Sequence, residues 1–274
     1  SIYLCGVVLA RYLMGGVVFS THSGSEGTNG LAPVQISGYL GFSCTVFFFS
    51  IMSEMERKKI LINLFLFSLT AVIMLLSFSR GGVYFIAAMM ILYFFFNRTV
   101  IKSYFLFLLV VPFGLLIYYS ASETTNGLIE QRYEQEGSSG RDMLVEAGWS
   151  LFISQPLAGI GTGNFNAEIK AQNLYGQESG AHNEFIRVAA EDGILGIITY
   201  WMFFIALFVD ILGRSKIQRE YGIYFLVFFC LVIIHNGLKI SLQPFLLTLA
   251  VATPTMVAVK KKKHVTPSGS QLTT

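Results

Sequence analysis

Long apolar segments are the feature of this sequence that most restricts its fold. A helix of about 20 apolar residues crosses the hydrocarbon core of a bilayer, and helix is required there because backbone N–H and C=O groups find no water to bond. Charged residues make up only 13% of the chain, about half the share in a soluble domain, which is too few to cover a water-facing surface. The sequence therefore predicts an all-α polytopic membrane protein with about eight transmembrane helices, at 2–19, 36–53, 60–79, 82–97, 103–119, 193–210, 222–238 and 242–259.

The positions of the Lys and Arg residues predict the orientation of these spans. Cytoplasmic connections of membrane proteins are enriched in Lys and Arg. The long connection 120–185 has only three basic residues against nine acidic ones, so it is expected outside the cell membrane, with the C-terminus in the cytoplasm. Most of the 19 basic residues lie on the opposite side, namely Arg57, Lys58, Lys59, Arg98, Lys102, Arg214, Lys216, Arg219 and 260–263.

This arrangement divides the chain into four parts. We expect transmembrane helices over 1–119, a long extracytoplasmic loop over 120–192, further transmembrane helices over 193–259 and a basic, disordered cytoplasmic tail over 260–274. The chain enters an apolar run at once, without a signal-peptide cleavage pattern. It is therefore expected to be the C-terminal part of a longer protein.

Several functional classes are excluded by the composition and by missing motifs. Cys5, Cys44 and Cys230 lie inside apolar runs, where cysteine behaves as a small hydrophobic residue, so neither a disulfide framework nor a zinc site is predicted. The sequence has no DxD motif and no His/Asp cluster, so we expect no metal and no cofactor. Phe occurs 25 times and Tyr 13 times, a composition that excludes a nucleic-acid-binding arm, and no nucleic-acid partner is expected. HExxH, GxSxG and paired intramembrane aspartates are missing, which excludes an intramembrane protease.

The long connection carries its own structural signals. Residues 140–153 place apolar side chains among polar ones, which predicts an amphipathic helix at the membrane interface that ends at Pro156. Gly159, Gly161 and Gly163 then alternate with other residues. The strand that precedes a dinucleotide-binding fingerprint is missing. The glycines therefore indicate either a tight turn where only glycine fits, or a loop whose N–H groups approach an anionic or sugar ligand.

One histidine and two arginines are the candidates for chemistry. His182 lies outside the membrane core just before a helix, so it is either a structural or solvated histidine or a general base. Arg80 lies at the turn between two spans and is either an interfacial residue with a snorkelling stem or an anion-binding residue. Arg141 has Asp142 and Glu146 nearby as local ion-pair partners. Both guanidinium groups suit bidentate contacts to phosphate oxygens.

A third group of charged residues follows His182. Glu184, Arg187 and Glu191 have i,i+3 and i,i+4 spacing, which favours ion pairs along one helix face over a ligand-binding role for Arg187. Glu184 is predicted either to orient His182 or to cap the helix.

Taken in order along the chain, these residues resemble the O-antigen ligase and O-antigen polymerase superfamily. The resemblance covers about residues 30–240 and includes the topology, because the motifs lie on one long outer loop and its flanking spans. The motifs are Ser79-Arg80-Gly81, Gly140-Arg141 with Trp149, the glycine-rich segment 156–165, His182-Asn183, and Glu191-Asp192-Gly193 followed by Gly196.

The resemblance implies a GT-C-like helical bundle in the bacterial plasma membrane, surrounded by membrane lipids. It implies a metal-independent, inverting glycosyltransferase with an undecaprenyl-diphosphate-linked glycan as donor and a glycan or lipid core as acceptor, acting in O-antigen, capsule or exopolysaccharide synthesis. By position, His182 becomes the general base, and Arg80 and Arg141 hold the donor diphosphate. The further substrate-binding residues are Gly161, Gly163 and Asn183, with Glu184 as a secondary candidate.

Some alternatives stay open at the level of sequence. His235, Asn236 and Lys239 cluster at the outer end of the seventh span, either as an additional acceptor or phosphate contact or as polar groups that bond between helices. A transporter or flippase of the lipid-linked glycan is the competing function, although its ionisable groups are expected near the midplane of several spans. Within the transferase interpretation, a polymerase is slightly preferred to a ligase.

Overall fold

The fold is helical, as seen in a computed structural model that describes residues 5–7, 10, 14, 33–53, 56–97, 101–135, 141–173, 181–236 and 242–262. Within these ranges no strand occurs. The helices are α1 (Pro33–Ser53), α2 (Arg57–Leu76), α3 (Gly81–Asn97), α4 (Ile101–Thr124), α5 (Leu128–Gln135), α6 (Arg141–Ser154), α7 (Phe165–Ala171), α8 (Glu184–Leu212), α9 (Lys216–Asn236) and α10 (Leu242–Lys262).

Helices occupy seven of the eight predicted spans, and the first span, 2–19, lies largely outside the described residues. Four helices in the described part are long and apolar enough to cross a membrane, namely α1, α2, α8 and α9. The architecture is that of a helical polytopic membrane protein. The total of eight spans, their orientation and the division into four parts stay predictions.

Helices α1 and α3 cross at unusually short distance because both carry glycine at the crossing. A Cβ added to Gly41 would lie 2.8 Å from the Cα of Gly82, so the two backbones are in direct contact. Ser37 Oγ reinforces this crossing, since it donates to the carbonyl oxygen of Ser79 (2.9 Å) and accepts from the N–H of Gly82 (2.9 Å). Small residues that let helix backbones approach are the usual means of association in lipid, where burial in lipid tails gives no hydrophobic gain.

Aromatic side chains fill the space between α3, α8 and α9. Phe85 of α3 packs on Phe228 of α9 with ring centroids 5.4 Å apart, and Phe204 of α8 lies 5.9 Å from Phe229 of α9. All four side chains are buried. This aromatic core connects the helix that follows Arg80 to the helix that follows His182.

Helix α8 reverses its direction at Gly193. Gly193 has φ 65° and ψ −155° inside an otherwise helical segment, a conformation that is essentially restricted to glycine. Phe185 contacts the rings of Tyr200 (5.4 Å), Trp201 (5.4 Å) and Phe204 (6.0 Å), which a continuous helix would hold more than 20 Å away at about 1.5 Å per residue. Segment 184–192 therefore packs back along segment 194–212.

The residues of the predicted outer loop form a small cluster of their own around α6 and α7. The predicted helix over 140–153 is confirmed as α6 and ends two residues before Pro156. Of its apolar side chains, Met143 and Trp149 are about half exposed, at 55% and 51%, and its location at the membrane interface stays a prediction. The buried members of the cluster are Leu144, Ala147, Leu151, Phe165, Ile169, Ala181 and Ala190.

Candidate functional site

Arg80 occupies the turn that joins α2 to α3. It immediately precedes α3, and its carbonyl oxygen accepts a hydrogen bond from the N–H of Tyr84 (3.2 Å). The guanidinium-bearing side chain is half-buried, and the turn before it contains Phe78 with φ 53°. The first N–H groups of a helix attract negative charge, so Arg80 and the start of α3 together favour an anion at this corner.

His235 lies against the same corner, although it is far away in sequence. Its Nε2 is 2.5 Å from the position that a Cβ on Gly81 would occupy, and its ring meets Phe85 edge to face at 5.7 Å. The structure thus places His235 against the residue that follows Arg80, although the sequence treated the two as separate candidates. Lys239, predicted beside His235, lies outside the described residues, as does the side chain of Asn236.

The glycine-rich segment docks onto the reversal in α8. The N–H of Ile160 donates to Ala190 O (2.9 Å) and that of Gly161 to Glu191 O (2.9 Å), while the N–H of Ile194 donates to Pro156 O (2.8 Å). The two chain segments are thus joined on both sides of Gly193. The glycine segment is a tight turn against backbone, which is the first of the two interpretations that the sequence left open.

Conformation explains why glycine is needed in this segment. Gly159, Gly161 and Gly163 have φ values of 68°, 93° and 87°, in the left-handed region that glycine adopts without strain. A Cβ on Gly159 would collide with the backbone of Glu191, whereas Gly163 has open space around it. The N–H of Gly161 already donates a hydrogen bond within the protein. A substrate-binding role for Gly161 and Gly163 stays a prediction.

A buried ion-pair cluster holds the two loop segments together. Arg187 bonds both carboxylate oxygens of Glu184 through Nε (3.1 Å each) and also pairs with Glu191. The two carboxylates are 1% and 2% exposed, and Glu191 Oε1 also accepts the N–H of Phe165 at the start of α7 (3.1 Å). The predicted ion pairs of Arg187 are confirmed. Burial of this kind demands pairing, because an uncompensated buried charge costs several kcal/mol.

His182 is placed by the start of α8. Asn183 precedes the helix, and its Oδ1 accepts hydrogen bonds from the N–H groups of Phe185 (3.0 Å) and Ile186 (3.4 Å), which is the usual role of an N-cap residue. His182 has φ 48°, is half-buried and follows the buried Ala181. Non-glycine residues with positive φ are uncommon, and they concentrate at functional sites.

The remaining predicted residue, Arg141, is the first residue of α6. The described contacts thus group the candidates into two sets, with Arg80 and His235 at the start of α3 and His182 and Asn183 at the start of α8. The described residues contain no group of three or more His, Cys, Asp or Glu side chains that could hold a metal ion. Sequence reasoning did not identify the structural roles of Ser37, which bonds α1 to the start of α3, and of Gly193, at which α8 reverses. The only sequence signal for the second was its place between acidic residues and an apolar run.

The model of one protein family, described as O-antigen ligase, matches residues 65–201. This is half of the chain, and it contains Arg80, Arg141 and His182. The chain belongs to the O-antigen ligase family. No curated protein matches it. Membership in the O-antigen ligase family agrees with the helical membrane architecture and with a glycan-transferring enzyme that acts on lipid-linked glycans, and it gives the transporter interpretation no support. His235 lies beyond the matched residues.

Proposed function

We propose that this O-antigen ligase family member transfers a glycan from an undecaprenyl-diphosphate-linked donor to a sugar hydroxyl at the outer face of the bacterial plasma membrane. One observation carries the proposal. His182 is held with a left-handed backbone beside the Asn183 cap, inside the segment that matches the family. A strained backbone that the surrounding structure maintains is a reason to propose a function for the residue there.

His182 acts as the general base in the proposed reaction. The acceptor oxygen forms a bond to the anomeric carbon of the donor while the bond from that carbon to the phosphate oxygen breaks. The electron pair leaves with the diphosphate, and the acceptor proton passes to His182. Imidazole suits this step because it changes its charge near neutral pH. Attack from the face opposite the leaving group inverts the anomeric configuration.

Arg80 and Arg141 hold the diphosphate in this proposal. Negative charge grows on the leaving diphosphate as the glycosidic bond breaks, and preorganised positive groups stabilise it. Guanidinium groups bind phosphate oxygens through two parallel N–H bonds. The half-buried position of Arg80 at the start of α3 supports its assignment, and no cofactor is part of the mechanism.

An apolar groove supports the choice of a lipid-linked donor. It has a volume of about 280 Å³ and lies between α1, α2, α3 and α4. Val83 lines it three residues after Arg80, and Leu75 and Tyr118 line it from α2 and α4. A diphosphate at Arg80 would therefore have an apolar path beside it for the first isoprenoid units of its tail.

The test is transfer by the purified protein in nanodiscs, measured as release of undecaprenyl diphosphate from a lipid-linked donor. His182→Asn is the sharpest variant, because asparagine tolerates the left-handed backbone but cannot accept the proton. We expect its rate to fall about 10²- to 10⁴-fold with an unchanged melting midpoint. Full activity of a folded His182→Asn protein would refute the mechanism.

Deletion of the gene distinguishes the possible roles in the cell. Accumulation of lipid-linked single repeats at the outer face indicates a polymerase, which we prefer, and accumulation of the lipid-linked full polymer indicates a ligase. Glycan retained on the cytoplasmic leaflet would overturn the transferase proposal in favour of a transporter.

A further inference from the structure

The contact between His235 and Gly81 carries an inference that goes beyond the matched family segment. His235 lies in the last turn of α9, while Gly81 is the first residue of α3 and the immediate neighbour of Arg80. The Cα atoms of neighbouring residues are about 3.8 Å apart. The imidazole of His235 therefore packs directly on the residue that follows Arg80.

The two glycines after Arg80 have different neighbours. Gly82 makes room for α1 and α2, since a Cβ there would lie 2.7 Å from Ser37 Oγ and 2.6 Å from Met74 Sδ. The atoms nearest to a Cβ on Gly81 all belong to the imidazole of His235, with Nε2 at 2.5 Å and Cδ2 at 2.6 Å from the Cβ position. Helix packing thus accounts for Gly82, whereas Gly81 accommodates a single polar ring.

The ring is also oriented by its second neighbour. Phe85, one turn further along α3, is buried and meets the His235 ring at an interplanar angle of 88°. This edge-to-face contact and the flat surface of Gly81 hold the imidazole between α3 and α9. Of the ring atoms, Nε2 lies closest to the Cβ position of Gly81.

We propose that His235 is a further substrate-binding residue, which donates a hydrogen bond from Nε2 to the donor diphosphate held by Arg80. The inference rests on the proposed function, and it adds to that function a contact from a helix outside the family-matched segment. The imidazole binds the leaving diphosphate and takes no part in bond making, because His182 accepts the acceptor proton. A hydrogen bond to a charged group contributes about ten- to one-hundredfold in binding.

Two substitutions of His235 separate its packing from its hydrogen bond. His235→Phe keeps a flat ring against Phe85 but has no N–H, and His235→Gln places an amide nitrogen near the position of Nε2. The probe is undecaprenyl diphosphate alone, titrated onto the full chain in nanodiscs. We expect binding about ten- to one-hundredfold weaker for His235→Phe and within about fivefold of the wild type for His235→Gln. Tyr224→Phe, which removes a buried hydroxyl from the same helix, is the matched control and should bind normally.

Gly81 provides an independent test, because its substitution moves His235 without replacing it. Gly81→Ala should displace the imidazole and weaken undecaprenyl diphosphate binding as much as His235→Phe does. Adding His235→Ala to Gly81→Ala should relieve the collision and restore the melting midpoint without restoring binding. A double variant that regains full binding would overturn the inference.

The outcomes distinguish this inference from the proposed function. The role of His235 is refuted if the His235→Phe variant binds undecaprenyl diphosphate like the wild type. The transferase proposal remains in that case, provided that the wild type transfers glycan and the His182→Asn variant does not. If the wild type neither binds undecaprenyl diphosphate nor releases it from a donor, both proposals fail.

Discussion

The α1–α3 crossing and the docked glycine segment both depend on glycine, but for different physical reasons. At the crossing, Gly41 and Gly82 lie within regular helices, and the absence of a side chain lets two backbones touch. In the docked segment, Gly159 and Gly193 have positive φ as well as backbone atoms against them. The first region needs glycine for its size, and the second needs it for both its size and its conformation.

The two regions also differ in how they satisfy buried polar groups. At the crossing, one serine hydroxyl bonds two backbone groups. The other backbone groups there are bonded within their own helices. The docked segment has backbone groups outside regular structure, and these bond to the reversal in α8 and to the carboxylate of Glu191. Substitutions that change only size, only conformation or both should therefore separate the two regions.

The largest effect is expected for Gly193→Ala, which changes both properties. Its φ of 65° is strained for alanine, at about 1–3 kcal/mol, and the new Cβ would lie 2.6 Å from Leu157 O, which adds about 1–3 kcal/mol of overpacking. We expect the lowest melting midpoint of the series and loss of transfer, because the turn that carries His182 is anchored here. A midpoint equal to that of the wild type would show that the reversal does not depend on glycine.

A smaller effect is expected for Gly82→Ala, which changes size alone. The helical backbone accepts alanine, but its Cβ would collide with Ser37 and Met74, and the helices must separate at a cost of about 1–3 kcal/mol. The melting midpoint should fall by less than for Gly193→Ala. Met74→Ala removes one of the colliding groups, and a combined loss for the double variant that is smaller than the sum of the two single losses would identify the steric origin.

The smallest effect is expected for Gly163→Ala, which changes conformation alone. Its φ is 87°, yet no atom lies within 4 Å of the Cβ position, so backbone strain of about 1 kcal/mol remains as the only cost. Gly114→Ala, in α4, is the control, since it has neither positive φ nor a close neighbour. If Gly163→Ala and Gly114→Ala give the same midpoint, conformation contributes nothing measurable in this segment.

Local patterns in the sequence predicted much of the fold. Apolar runs predicted the helices because burial in lipid and internal hydrogen bonding depend on the run itself. Pro156 predicted the end of α6, since proline cannot continue a helix. The spacing of Glu184, Arg187 and Glu191 predicted their ion pairs because i,i+3 and i,i+4 neighbours share a helix face.

Features that depend on distant residues were not predictable in this way. The sequence placed the start of a span at residue 193, but it did not show that the preceding helix folds back on that span, because the reversal is stabilised by hydrogen bonds to segment 156–161. The contact of His235 with Gly81 joins two helices far apart in sequence. The exposed side of Trp149 depends on where Leu144 and Leu151 find partners in α7 and α8, which no local pattern contains.

The reversal at Gly193 also has a consequence for the thickness of bilayer that the protein fits. A continuous helix of 29 residues would be about 44 Å long at about 1.5 Å per residue, well beyond a hydrocarbon core of about 30 Å, and would have to tilt steeply. With the first part turned back, segment 194–212 is about 28 Å long at about 1.5 Å per residue, which is close to the thickness of the core. One glycine thus converts an overlong helical segment into an apolar helix of ordinary span length plus a short helix that brings the histidine turn back against the bundle.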